Sequence, residues 1–214
     1  MKVQYIDHMG DDLSVVNSAR VSFGKKSDYM PRVHMGEAKV LQHKDEKLIK
    51  YLAKHNHKSP FNHAFATFHV KAPIFVARQL QKHEYMPWNE ISRRYVDSEP
   101  EFYVPDVWRG RSKDKKQGSS GKITVSSDLA RNMAESAKKD YEYLLDLGIC
   151  PEQARMVLPQ SMMTEWYWSG TLYAFAKMCS LRLKEDTQLE TREIAKQISD
   201  EMAILFPVSW EALL

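Results

Sequence analysis

Cysteine is scarce in this 214-residue chain. Only Cys150 and Cys179 occur, and they are not closely spaced. That excludes a zinc ribbon, argues against a disulfide scaffold and points to a reducing, cytoplasmic setting. Long apolar runs are also missing. No stretch of about 18 apolar residues exists, so no helical membrane span is expected. The opening MKVQYIDHMGDDLS lacks the apolar centre of a secretory signal. Neither sign of charge dominates: 31 Lys and Arg against 28 Asp and Glu leave +3, too mild to imply a nucleic-acid binder. Walker and Rossmann glycine patterns are absent, so any nucleotide must be held by side chains. No G-x-S-x-G turn supports Ser92 as a nucleophile. His57, His63 and His69 are six apart, not the three or four that place two ligands on one helix face, so no metal is expected.

A hydrophobic content of 43% suffices for one sizeable core, and the length favours one domain. Lys2–Ile6 reads as a strand, Asp12 or Ser14 as the cap of a helix ending at Arg20, and residues 24–42 as a loop. Asp45–His55 places Leu48, Ile49 and Leu52 on one helical face. HKSPF, His57–Phe61, is a turn, because Pro60 keeps Ser59 extended. Ala64–Lys71 alternates as a strand, and Pro73 opens a helix reaching about His83. Ile91–Val96 and Glu101–Val104 look extended. Ser127–Leu147 is helical and ends at Gly148, and Glu152–Leu158 is a short helix before Pro159. Ser161–Leu183 reads as one long apolar helix and Gln188–Leu205 as an amphipathic one. The order of elements favours α+β over a doubly wound sheet.

The chemistry concentrates in Gln81–Pro105, where Lys82, His83, Glu84, Glu90, Arg93 and Arg94 are interleaved with aromatics. Lys82 and His83 have a structural explanation in complementing a helix dipole. Arg93 and Arg94, on an extended segment, face opposite ways. Arg155 and Arg182 sit among apolar residues and must be paired or meet an anionic ligand. Residues 109–122 carry six cations and one acid, so the rest of the chain is net negative. That basic loop either lies solvated or closes over a phosphate. Cys150 and Cys179 read as inert small hydrophobes.

Nearly the whole chain resembles the flavin-dependent thymidylate synthases. The resemblance is carried by DLSVVNSARVSF, HKSPFNHAFATFHVKAPIFVARQ, NEISRRY, EFYVP, PEQARMVLP and LRLKEDTQLETRE. It implies a single domain, with the basic insertion at 109–122, built on a central, mostly antiparallel sheet flanked by helices. It implies a homotetramer with active sites between subunits, in the cytoplasm, or a host's cytoplasm for a viral or phage-like branch. The implied reaction turns dUMP into dTMP with methylenetetrahydrofolate as one-carbon donor, FAD as hydride donor and NADPH as reductant. Carried over residue by residue, dUMP falls to Gln79, Lys82, Glu90, Ser92, Arg94, Arg155 and Arg182, with Tyr95 lining the pocket. Arg182 polarises the uracil ring, and Ser92 lies near the reacting region. FAD and folate fall to His57, Ser59, Lys82, His83, Glu84, Glu90, Thr171, Tyr173 and Lys177. The family's Arg-His-Arg stands here as Lys82, His83 and Glu84, and the basic loop is the expected compensation for Glu84. Those departures keep open a related enzyme modifying carbon 5 of another pyrimidine nucleotide, or a non-catalytic relative binding single-stranded nucleic acid.

Overall fold

The computed structural model describes residues 1–30, 40–113, 118–126 and 128–214. In chain order the elements are β1 (Lys2–Met9), α1 (Asp12–Arg20), α2 (His43–Lys54), β2 (Phe65–Pro73), α3 (Ile74–Leu80), β3 (Trp88–Glu90), β4 (Arg109–Arg111), β5 (Ser119–Lys122), α4 (Asp128–Asp146), α5 (Pro151–Ala154), β6 (Met163–Thr171), α6 (Leu172–Arg182), α7 (Leu189–Leu205) and α8 (Pro207–Leu213). The main sheet has the order β1-β2-β6-β3, and every neighbouring pair is antiparallel. The fold is α+β, as the sequence implies. No helix among the described residues is long and apolar enough to cross a membrane.

Alternation along the two central strands builds the core. Ala66, Phe68, Val70 and Ala72 of β2 are fully buried, while Thr67, His69 and Lys71 between them are half-buried. In register, Phe68 faces Trp168 and Val70 faces Trp166. Directly opposed residues share a face, so these rings make one apolar layer. Phe175 of α6 meets Phe68 at 5.2 Å and Trp168 at 5.4 Å between ring centroids, and Trp88 of β3 stacks on Trp166 at 4.3 Å. Buried rings of this kind each contribute on the order of 2–3 kcal/mol. Behind them α6 packs on α7, whose Ile194, Ile198 and Met202 are fully buried.

Asp11, not Asp12 or Ser14, is the N-cap of α1. Its carboxylate accepts from Ser14 N at 2.9 Å, and Ser14 Oγ accepts in return from Asp11 N at 3.1 Å. Asp12 instead reaches across the molecule. Its two oxygens accept from the backbone N–H groups of Val208 and Ser209, both at 2.9 Å, and so anchor α8.

Four other segments differ from their sequence expectation. Ser161–Leu183 is not one helix: β6 occupies its first half, with Thr164, Trp166 and Trp168 buried in alternation. Thr171 ends the strand and caps α6, its Oγ1 accepting from Ala174 N at 3.1 Å. The strand after Trp88 stops at Glu90. The N–H groups of Tyr95 and Val96 both return to Ser92 O, so Arg93 and Arg94 lie in a turn rather than alternating on a strand. The helix after Pro73 ends at Leu80, and Lys82, His83 and Glu84 follow it in a turn. The basic segment 109–122 pairs its described ends as the β4–β5 hairpin. Residues 114–117 of that segment, 31–39 of the 24–42 loop, and Ser127 lie outside the described residues.

Candidate functional site

The most convergent group of polar side chains surrounds a cleft of about 620 Å3 between α6 and the turn after α3. Tyr173, Lys177 and Leu181 are four apart, so α6 presents them on one face. The turn contributes Lys82, His83, Glu84 and Tyr85. Met86, just after the turn, packs on Gly170, where a Cβ would lie 2.9 Å from the Met86 methyl. Tyr85 has φ of 59° and is 91% exposed at the rim. A left-handed tyrosine is uncommon, and such strain concentrates at functional sites.

Arg182, the last residue of α6, is held at two points. Nη2 donates to Gln79 O at 2.8 Å, and Nε donates to His83 Nε2 at 3.1 Å. A guanidinium can only donate, so Nε2 of His83 must be the unprotonated nitrogen and Nδ1 carries the proton. Burial, with the Arg182 and Lys177 charges behind it, lowers the His83 pKa to about 4. The ring is therefore neutral near pH 7. Burial also lowers the Arg182 pKa from its usual value.

This predicts that long-range 1H–15N spectra will show His83 as the Nδ1–H tautomer, unchanged from pH 8 to pH 5 and titrating near 4. A histidine whose folded pKa is depressed stabilises the fold fully above the unfolded value near 6.5, and that contribution is lost as pH falls toward 4.

Gln79 is saturated within the fold. Its Nε2 donates to Gln188 Oε1 at 2.6 Å, and its Oε1 accepts from Thr191 Oγ1 at 3.1 Å. Its backbone carbonyl, not its side-chain amide, faces the cleft and orients Arg182.

A second cavity, of about 650 Å3, lies against β3 and β6 and contains Glu90, Arg93 and Arg155. Glu90 accepts from Thr164 Oγ1 at 2.6 Å and from Trp88 Nε1 at 3.1 Å, which fixes its carboxylate. Arg155 is exposed and, among the described residues, donates only to the carbonyl of Glu152, at 3.3 Å. Its apolar neighbour Met156 is exposed too, so the sequence's picture of a buried cation does not hold there. Arg94 lines neither cavity. Its Nε and N–H meet Ser92 Oγ at 3.2 and 3.3 Å, and its guanidinium lies 4.9 Å from the Tyr95 ring centroid. Ser92 thus positions an arginine, and no base among the described residues hydrogen-bonds to it. Within one chain, then, Arg155 and Arg182 open onto different cavities.

His57 and Ser59 line a third cavity, of about 760 Å3, with Phe23 and Tyr51. Thr171 lines the Arg182 cleft, where its Oγ1 donates to Asn62 Oδ1 at 2.8 Å. The described hairpin residues Arg109 and Ser119 line another cavity, with Phe75 and Tyr103, and do not reach the cleft that holds Glu84. The cations that line that cleft beside Glu84 are Lys58, Lys82, Lys177 and Arg182. Sequence reasoning passes over Lys58, although it lies between His57 and Ser59, both of which the resemblance marks. Cys179 is buried and its thiol pKa is pushed up by burial, whereas Cys150 is exposed. Among the described residues no three His, Cys, Asp or Glu side chains converge as a metal site. His69 is occupied by Glu165 at 3.3 Å.

A family profile described as thymidylate synthase complementing protein matches residues 4–208. A flavin-dependent thymidylate synthase of Thermus thermophilus is 39% identical over 212 residues, covering 98% of this chain and 74% of that protein. One from Thermosipho africanus is 36% identical over 220 residues, covering 99% and 90%. The crystal structure of the UMP/dUMP methylase PolB from Streptomyces cacaoi bound with 5-Br dUMP superposes with a TM-score of 0.82 at 34% identity, covering 99% of this chain and 93% of that one. With the profile spanning nearly the whole sequence and the fold shared at this identity, the chain belongs to the thymidylate synthase complementing protein family.

Proposed function

We propose that this protein is a flavin-dependent thymidylate synthase. It converts dUMP to dTMP with methylenetetrahydrofolate as one-carbon donor, FAD as the flavin and NADPH as reductant. The observation that carries this reading is the Arg182 guanidinium, held by His83 and Gln79 at the wall of a lysine-rich cleft. A half-buried, doubly anchored cation is placed to stabilise negative charge developing on a bound pyrimidine, and it needs no reorganisation at the moment of reaction. Neutral His83 supports this by accepting from Arg182 rather than competing as a second cation.

The cleft fits FAD in its donor set. Lys58, Lys82 and Lys177 offer ammonium groups to phosphate, and no described acid lies within 4.0 Å of any of them. Bound FAD, once reduced, supplies the hydride. Lys82, Arg94 and Arg155 are the groups for the nucleotide phosphate, as charge-assisted contacts. Since Arg155 and Arg182 open onto different cavities of one chain, gathering them on one nucleotide requires a second copy. That supports a homotetramer with sites between subunits.

Tritium release from dUMP labelled at carbon 5 tests the reading. Release that requires both FAD and methylenetetrahydrofolate is expected. A protein that binds FAD, with absorbance near 450 nm, yet releases no tritium would overturn it. The likeness to a UMP/dUMP methylase motivates a second reading, in which UMP is also accepted. Competition between labelled UMP and dUMP in the same assay separates the two.

A further inference from the structure

Lys58 stands where three cavities meet. It lines the Arg182 cleft, the Phe23–Tyr51 cavity, and a smaller cavity of about 210 Å3 between them. His57 belongs to the smaller cavity and the Phe23–Tyr51 one, while Tyr173 and Lys177 belong to the smaller cavity and the cleft. These shared residues set the three cavities side by side along α6, and the surface they line is termed the trough. Its chemistry is graded. One end carries exposed rings, Phe23 at 78% and Tyr51 at 54%. The middle carries Lys58 and Lys177. The far end carries His83 and Arg182.

The middle is short of negative charge. The Lys58 ammonium lies 5.6 Å from the Tyr173 ring centroid, a cation–π contact that orients the charge without neutralising it. Among the described residues Glu84 is the only acid lining any of the three cavities, and it sits beside His83 at the far end. Cations facing a shared concavity raise its potential and favour an anion there.

We propose that Lys58, with Lys177 beside it, binds the diphosphate of an elongated dinucleotide lying in this trough, with one ring system toward His83 and Arg182 and the other toward Phe23 and Tyr51. The inference rests on the flavoenzyme reading and deepens it. Where Glu84 replaces a cation of the family motif, the positive charge enters from the turn before β2 and from α6. Lys58 is exposed and joins no salt bridge among the described residues, so its removal isolates the ligand contact from all but its cation–π contact with Tyr173.

The test is equilibrium binding of FAD, riboflavin and inorganic pyrophosphate to the full chain and to Lys58→Gln. Loss of one charge-assisted contact is expected to weaken FAD and pyrophosphate about tenfold. Riboflavin, which carries no phosphate, should stay within about twofold, and the salt dependence of FAD binding should become shallower. Lys58→Arg should recover most of the FAD affinity. Wild-type-like affinity of Lys58→Gln for FAD and pyrophosphate would overturn the proposal. So would parallel weakening of riboflavin and FAD, which marks Lys58 as a support for Tyr173 only. Pyrophosphate binding that depends on Lys58, in a protein with no FAD-dependent tritium release, would uphold the diphosphate contact and remove the thymidylate synthase reading.

Discussion

Arg182→Ala is expected to lower dTMP formation by about a hundredfold to a thousandfold, the loss typical of removing one preorganised donor from a developing anion. Two consequences follow from its geometry. The Gln79 carbonyl and His83 Nε2 both lose their donor. The imidazole also loses the nearer of its two cationic neighbours, so its pKa should rise from about 4 toward 6.5 while burial and Lys177 still hold it below that value. Turnover by tritium release and the His83 titration by NMR should therefore move together, with the melting temperature nearly unchanged because Arg182 is only partly buried. Arg182→Lys keeps the charge but has one ammonium for two divergent acceptors, and should recover little. An Arg182→Ala enzyme with wild-type turnover would remove Arg182 from the site.

Arg109→Met should give the largest loss of stability. Nη2 of Arg109 donates to both Glu190 oxygens, at 2.7 and 2.8 Å, and Nε donates to Ser119 Oγ at 2.9 Å. The pair ties the β4–β5 hairpin to the first turn of α7. Glu190 is 4% exposed, and besides Arg109 it accepts from the Tyr103 hydroxyl at 3.3 Å and from the Gln188 side chain. Stranding a buried carboxylate costs about 3 kcal/mol, or a fall in melting temperature of roughly 6–12 °C for a chain of this size. Arg109→Met with Glu190→Leu should recover most of the loss, because the stranded charge is then gone. The pH dependence checks the cause. Burial alone would raise the Glu190 pKa, but the Arg109 hydrogen bonds and charge outweigh it and hold the group below 4.5. Its contribution is thus present above pH 4.5 and lost as pH falls through the lower folded value. In Arg109→Met burial is opposed only by the remaining hydrogen bonds, from the backbone and Gln188, so the deficit against wild type should be greatest near pH 7 and shrink toward pH 4. A deficit independent of pH would mean that the hairpin is held by packing instead.

Segments whose burial pattern is local are legible in the residue order alone. α2 has Leu48, Ile49 and Leu52 on one face, α4 ends at Gly148 with φ of 81°, and β2 alternates strictly. β6 is not legible in that way. From Trp166 onward its run continues without a proline or a charge into the apolar first turn of α6, and such a run has no clear period to read. The break is Thr171, whose capping role exists only once β6 is paired with β2 on one side and β3 on the other. Arg93 and Arg94 escape for a similar reason: a turn closed by Ser92 O replaces the strand that alternation assumes.

The same division holds for the site. His83, Arg182, Lys177 and Thr171 are marked by the resemblance, and the fold brings all four to one cleft. The sequence by itself determined the family, the α+β class, the helices with clear periodicity and the side chains able to meet a phosphate. These follow from residue types and short spacings. Only the tertiary structure decided that Arg182 faces His83 from 99 residues away, that Arg155 opens onto a different cavity, and that Lys58 stands at the junction of three. Such proximities arise from strand pairing and helix packing across the whole chain, and no local spacing encodes them.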